Sequence, residues 1–198
     1  ANPYRNPVVG WMDDLQNMTA ADAIAWYRRW YAPNNATVVI AGDVNAQEVL
    51  KLAEKHFGKI PPKTLPKTKP QDEPKQLGIR RVTVKAPAEN PYLVMAYKMP
   101  KLLDVEKDDD PFALEVLAAV LDGYDNARLP AKLVRTDRIA NSVDAGYDGT
   151  ARGPVMFVLS GEPTRDTSLE QLEAALRAEI ERIAKEGVSA DELKRVKA

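Results

Sequence analysis

Apolar residues recur at helical spacing in several stretches and crowd or alternate in others, and that pattern divides the chain. Asn2 to Asp14 has paired prolines and a tryptophan without periodicity, and reads as an extended arm. Thr19 precedes good helix formers with Asp22 three residues on, a weaker relative of the Thr-x-x-Glu start. Ile24, Tyr27 and Tyr31 then share one helical face with Ala20 behind them. Pro33 stops that helix, because the residue before a proline is pushed out of the α region. Ala36 to Ala41 is short, apolar and β-branched without alternation, which predicts a strand covered on both faces, ended by Gly42-Asp43. Asn45 caps a second helix in which Val49, Leu52, Ala53, His56 and Phe57 recur at helical spacing.

Pro61, Pro62, Pro66, Pro70 and Pro74 then punctuate a Lys- and Thr-rich run ending near Leu77. That proline density opposes both helix and sheet pairing, so the run reads as a semi-extended linker between domains. Beyond it, Ile79, Arg81, Thr83 and Lys85 alternate with Arg80, Val82, Val84 and Ala86, the pattern of a half-buried strand. Tyr92 to Met99 is a second strand between Pro91 and Pro100. Asp110 is expected to cap a helix opening on Pro111, with Phe112, Val116, Ala119 and Val120 inward and Gly123 at its end. A short helix from Arg128 to Thr136 follows, then a strand pair, Ile139 to Tyr147 and Pro154 to Gly161, around Asp148-Gly149. Ser168 opens a long amphipathic helix with Leu169, Leu172, Ala175, Leu176, Ile180 and Ile183 inward and Gly187 closing it. Ser189-Ala-Asp-Glu has the form of another helix start; the chain stops within that helix and reads as part of a longer protein.

Composition narrows the chemistry. Lys plus Arg total 28 against 29 Asp plus Glu, so no global field favours nucleic acid or an anionic membrane. No apolar run approaches the roughly 20 residues of a spanning helix. The absence of cysteine removes disulfides, thiolate catalysis and Cys-based zinc sites. One histidine, His56, cannot build a zinc site that needs two imidazoles a helical turn apart, nor does any Ser or Cys signature surround it as a triad would need. On the apolar side of its helix it reads as a packed helix-end residue. Asp104, Glu106, Asp108, Asp109 and Asp110 lack the spacing of a calcium loop and read as caps at a helix start. The lysines from Lys63 to Lys75 are interleaved with Asp72 and Glu73 and lack stacking aromatics, so they read as a solvated linker.

Three stretches resemble one family: Pro3-Tyr4-Arg5-Asn6-Pro7-Val8-Val9-Gly10, Trp30-Tyr31-Ala32-Pro33-Asn34-Asn35-Ala36, and Val39-Ile40-Ala41-Gly42-Asp43-Val44. They are similar in order and spacing to bacterial M16 zinc peptidases, the insulinase, pitrilysin and mitochondrial processing peptidase family. The resemblance implies an α+β fold in which helices pack on a mixed, largely antiparallel sheet. It divides the chain into the end of a first domain (1–60), the linker (61–77) and a second, noncatalytic domain (78–198), and implies that the two halves are distant copies of one α/β plan. The family's His-x-x-Glu-His motif and further Glu ligand are then expected upstream of Ala1. Zinc belongs to the full-length protein, with no cofactor and no catalytic residue in this chain. The implied partners are an unfolded peptide and either the N-terminal catalytic half or a second M16 subunit. The family favours the bacterial periplasm over the cytoplasm.

Gly123 to Leu129 and Leu133 to Val143 resemble a further M16 segment, Gly-x-x-Ser-Arg-Leu followed by Leu-Arg-x-x-x-Gly-Leu-Ala-Tyr-Ser-Val. In the family its Arg and Tyr reach towards substrate beside the zinc, where they can hydrogen-bond a developing oxyanion. Arg135 matches the Arg with a spacing one residue shorter, and Asn141 stands at the Tyr position. Both are candidate substrate-binding residues. Asn can donate a hydrogen bond but has no phenol. The plain structural reading is a helix-to-strand connection with Arg135 paired to a nearby acid. The expected function is the noncatalytic portion of a zinc metalloendopeptidase, and the alternative is a structural or partner subunit without peptidase activity.

Overall fold

Capping decides where the first helices begin. The computed structural model describes residues 6–69 and 74–197 and falls into two units, Ala1–Asp72 and Glu73–Ala198. In the first unit, α2 (Ala20–Trp30) opens on a full capping box: the Thr19 hydroxyl accepts from the Asp22 N–H, and the Asp22 carboxylate accepts from the Thr19 N–H at 2.9 Å. α3 (Ala46–Phe57) opens with the Asn45 side-chain oxygen accepting from the amides of Gln47 and Glu48. Pro33–Asn35 forms a 3₁₀ turn whose Asn34 amide pairs with both the N–H and the carbonyl of Lys63, each at 3.0 Å. The turn thus holds the start of the proline-rich run. The arm is not extended throughout, because Met12–Asn17 forms a short helix, α1; its first residues, Asn2 to Arg5, lie outside the described residues.

The predicted strand over Ala36 to Ala41 is absent. The segment pairs with no other strand among the described residues, and Val38, Val39 and Ile40 are exposed. β propensity describes how a side chain fits a pleated, covered surface, and without a ladder partner it fixes no strand. The helical faces fare similarly: Ile24, Tyr27 and Tyr31 on α2, and Leu52, His56 and Phe57 on α3, are exposed, while Val49 and Ala53 are half-buried. Tyr27 and Tyr31 cover one another, stacked at 4.4 Å. Among the described residues of this unit only Ala32 is buried.

The second unit has a core. Its sheet runs in the order β1–β3–β2, antiparallel throughout, with β1 Leu93–Met99, β2 Ala140–Tyr147 and β3 Val155–Pro163. Met95 faces Leu159, Tyr97 and Tyr147 flank Phe157, and Val143 faces Gly161, so one face carries the large apolar side chains. Onto that face pack α4 (Asp109–Asp122), the π-helical turn Pro130–Thr136 and α5 (Leu169–Glu186). Leu121, Leu129, Leu133, Leu159, Leu172 and Leu176 are all but fully buried, and each such leucine contributes roughly 1.5–3 kcal/mol relative to exposure. Gly161 permits the close approach of α5, since a Cβ there would sit 3.2 Å from Leu172 Cδ2 and 3.0 Å from the Ser142 carbonyl oxygen. On the opposite sheet face Val94, Ala96, Lys98, Met156 and Asp144 are exposed, while Val158 is half-buried and Ser160 buried in the central strand. The layers make an α+β fold.

Several boundaries move. Asp108, not Asp110, stands at the N-cap of α4: its carboxylate accepts from the amides of Leu103 and Asp104. Pro111 falls in the first turn and is buried, whereas Phe112 on the predicted inner face is exposed. Val120 of the predicted face is fully buried and Val116 and Ala119 are half-buried, while Leu114, Leu117 and Leu121 pack against the sheet core, so the covered stripe of α4 is wider than predicted and centred nearer its leucines. The alternating run Ile79 to Ala86 forms no strand, and Ile79, Val82 and Val84 are exposed. α5 keeps its predicted cap and closure, Ser168 with Gln171 and Gly187 at φ 73°, and α6 (Ala190–Val196) follows.

Candidate functional site

The segment that carries Arg135 and Asn141 is tied down at both ends. Upstream, the Arg128 guanidinium forks onto Glu192, Nε to Oε1 at 2.8 Å and Nη2 to Oε2 at 2.6 Å, and Nη2 also donates to the Gly187 carbonyl at 3.1 Å. One side chain thereby joins the turn after α4 to the C-cap of α5 and the first turn of α6. Both charged groups are mostly buried, and the pairing holds the Glu192 carboxyl below the ordinary carboxylate range and raises Arg128. Ser189-x-x-Glu192 looks like a capping box in sequence. Only half forms, since the Ser189 hydroxyl accepts the Glu192 N–H while the carboxylate goes to Arg128.

From Arg128 the chain enters the π-helical turn, with Pro130 at its start and the Asp137 N–H donating to the Lys132 carbonyl five residues back at 2.8 Å. Leu133 is buried against the sheet, whereas Arg135 in the last turn is exposed. The acid expected beside Arg135 is not there. Asp137 pairs with Lys132 at 2.8 Å, and the Arg135 guanidinium has no partner among the described residues. Arg138 then adopts φ 55°, a left-handed conformation unfavourable for a side chain with a Cβ, before β2 begins.

Asn141 lies at a bulge, where the pairing of β2 with β3 shifts between Ala140 and Ser142. Its amide donates to Glu162 Oε1 at 2.8 Å and to the Pro163 carbonyl at 3.3 Å, and Asn90 donates to the same Glu162 oxygen at 2.9 Å. Arg135 and Asn141 flank one connection but share no hydrogen bond among the described residues. The outer edge of β2 is covered at Ala145, whose N–H donates to the Asp122 carboxylate at 3.2 Å. Burial raises that carboxyl above its ordinary range; the hydrogen bond opposes the shift and the Asp144 charge adds to it. On α5, Glu173 binds Arg81 at 2.7 Å and Arg177 at 2.9 Å, and Arg177 also donates to the Tyr97 hydroxyl at 3.3 Å. Sequence reading missed Arg128 and Glu173. Their signal is an acid at the start or inner flank of a helix with an arginine far away in sequence, and no local pattern names the partner.

Three or more His, Asp or Glu side chains do not gather in a metal-holding group among the described residues, so these residues offer no ligand set for zinc. Asp104 and Asp108 instead accept backbone amides and Lys107 around the start of α4. No helix of the described residues is long and apolar enough to cross a membrane.

A two-layer α+β unit with this order of elements belongs to a known class of peptidase domains. The family profile "Peptidase M16 inactive domain" matches residues 17–198, and the chain belongs to the M16 peptidase family. It is 30% identical over 201 residues to the zinc protease PqqE of Helicobacter pylori, covering 99% of this chain and 44% of that protein. It is 27% identical to the probable zinc protease PqqL of Escherichia coli, covering 100% of this chain and 21% of the relative. The crystal structure of a protease from Helicobacter pylori superposes with a TM-score of 0.80 at 30% identity, over 96% of this chain and 45% of that one. The fold also matches the first half of the periplasmic protease PqqL from Escherichia coli, with a TM-score of 0.57 at 20% identity over 96% of this chain and 40% of that one. The chain spans less than half the length of these relatives.

Proposed function

We propose that this chain is the noncatalytic portion of a zinc-dependent M16 metalloendopeptidase, divided as 1–60, 61–77 and 78–198. It supplies a chamber wall and substrate contacts while the metal and its ligands lie elsewhere in the full-length protein. The observation that carries the reading is the match of nearly the whole chain to under half of a zinc protease. Two features of the structure support it. The exposed sheet face with Val94, Ala96 and Met156 offers an apolar surface to an extended peptide, and the unpaired Arg135 guanidinium offers a donor to its carbonyls. The uncovered faces of α2, α3 and residues 38–40 fit a partner layer supplied by an N-terminal catalytic half or a second M16 subunit. The periplasm is the proposed compartment, after the relative so named.

The test is cleavage of a quenched unfolded peptide by the full-length protein, with and without a zinc chelator, and by its Arg135→Ala variant. Chelation abolishes cleavage and Arg135→Ala lowers kcat/KM about tenfold, the loss expected for one charged hydrogen bond. Cleavage by the 198-residue chain alone would overturn the assignment. One observation favours the alternative of a partner subunit without peptidase activity: the Asn141 amide is engaged by Glu162 and is not free for an oxyanion. A zinc-replete full-length protein that leaves the peptide intact supports that alternative.

A further inference from the structure

Two sets of arginines in the second unit contrast. Arg81, Arg128, Arg177 and Arg182 are each paired with a glutamate. Arg135, Arg138 and Arg165 are exposed, their guanidinium groups have no partner among the described residues, and their backbone positions lie around the start of β2 and the end of β3. Arg135 closes the π-helical turn and Arg138 follows three residues later. Arg165 is brought there by its neighbour Thr164, whose N–H donates to the Ile139 carbonyl at 3.0 Å and whose hydroxyl donates to the Arg138 carbonyl at 3.4 Å. Of the acids nearby, Asp137 is balanced by Lys132, whereas Glu162 accepts from the neutral amides of Asn90 and Asn141 and keeps its charge, as does Asp166 exposed beside Arg165, so the three arginines leave a small local excess of positive charge. The chain as a whole carries a formal charge of -1, so the positive excess is a local arrangement.

We propose that Arg135, Arg138 and Arg165 form a carboxylate-binding patch that selects acidic peptide segments. The proposal rests on the peptide-binding reading above and gives it a substrate class. A planar guanidinium binds a carboxylate by two parallel hydrogen bonds, and three of them on one rim match side-chain carboxylates spaced along an extended peptide. Because the groups are exposed, the attraction is modest per pair and strongly screened by salt.

The experiment is fluorescence anisotropy on the 198-residue chain with a labelled unfolded peptide rich in Asp and Glu, and with its Asn/Gln counterpart. At low ionic strength the acidic peptide is expected to bind about tenfold more tightly, a preference that shrinks towards unity near about 0.5 M salt. The triple variant R135Q/R138Q/R165Q loses the preference, R135K/R138K/R165K keeps only part of it because an ammonium supplies the charge without the paired hydrogen bonds, and R80Q/R152Q, which removes the same kind of charge elsewhere, leaves it unchanged. Equal binding of both peptides by the parent chain, or an undiminished preference in the Gln triple, overturns the patch and leaves peptide binding intact. Binding of neither peptide removes both the patch and this chain's contact with substrate.

Discussion

The first unit forms its helices without a core, and the second has a core that decides the details of its helices. In residues 6–69 the caps at Thr19 and Asn45 form as the sequence predicts, yet Ile24, Tyr27, Leu52 and Phe57 remain exposed. In the second unit Leu121, Leu129, Leu172 and Leu176 are sealed between helix and sheet. The difference teaches that local hydrogen bonding sets where a helix starts, whereas burial depends on a second layer that local sequence does not name.

The largest expected effect contrasts the two units directly. Leu172→Ala should destabilise the second unit by about 2–5 kcal/mol, and Leu52→Ala should cost about 0.5 kcal/mol or less. Urea unfolding followed by tryptophan fluorescence and far-UV circular dichroism measures both. Comparable losses would mean that the first unit buries α3 in solution, and the contrast between the units would fail.

A smaller effect concerns the clamp that joins α5, α6 and the turn after α4. Arg128→Ala leaves the mostly buried Glu192 carboxylate unpaired and should cost about 2–3 kcal/mol at pH 7. Glu192 has a depressed folded-state pKa, so its contribution is fully present above the unfolded carboxyl value and is lost as pH falls through the folded one. The stability difference between parent and Arg128→Ala should therefore narrow on acidification below about pH 4.3. A difference that stays constant from pH 7 to pH 3 would show that the ion pair contributes nothing and that packing alone accounts for the loss.

The smallest effect tests the backbone beside Arg135. Arg138 at φ 55° is in the left-handed region, where glycine is free of the Cβ clash but loses more entropy on folding. Arg138→Gly should raise stability by about 0.5–1 kcal/mol, seen as a higher midpoint in urea, while Arg138→Val at the same position should lower it. A destabilised glycine variant would place the arginine side chain in contacts that outweigh the strain.

Much of the fold was legible. β1, β2, β3 and α5 stand within a residue or two of their predicted bounds, because alternation, flanking prolines, the Ser168 cap and Gly187 are local signals. The runs over 36–41 and 79–86 carry equally good signals and form no strand, since a strand also needs a partner at the right register. At the candidate site, the exposure of Arg135 and the bulge at Asn141 could not be read from residue types, and neither could the capture of the Asn141 amide by Glu162.

What the sequence determined by itself was the set of interactions closed within a few residues: caps, turns and helix periods. The tertiary structure decided which apolar stripe of α4 is covered, that Glu192 serves Arg128 before its own helix, and that Thr164 is tied to the turn at Arg138 and Ile139. The reason is range. A cap is formed by groups three residues apart, whereas an ion pair across 64 residues or a helix face against a sheet exists only once the layers have met.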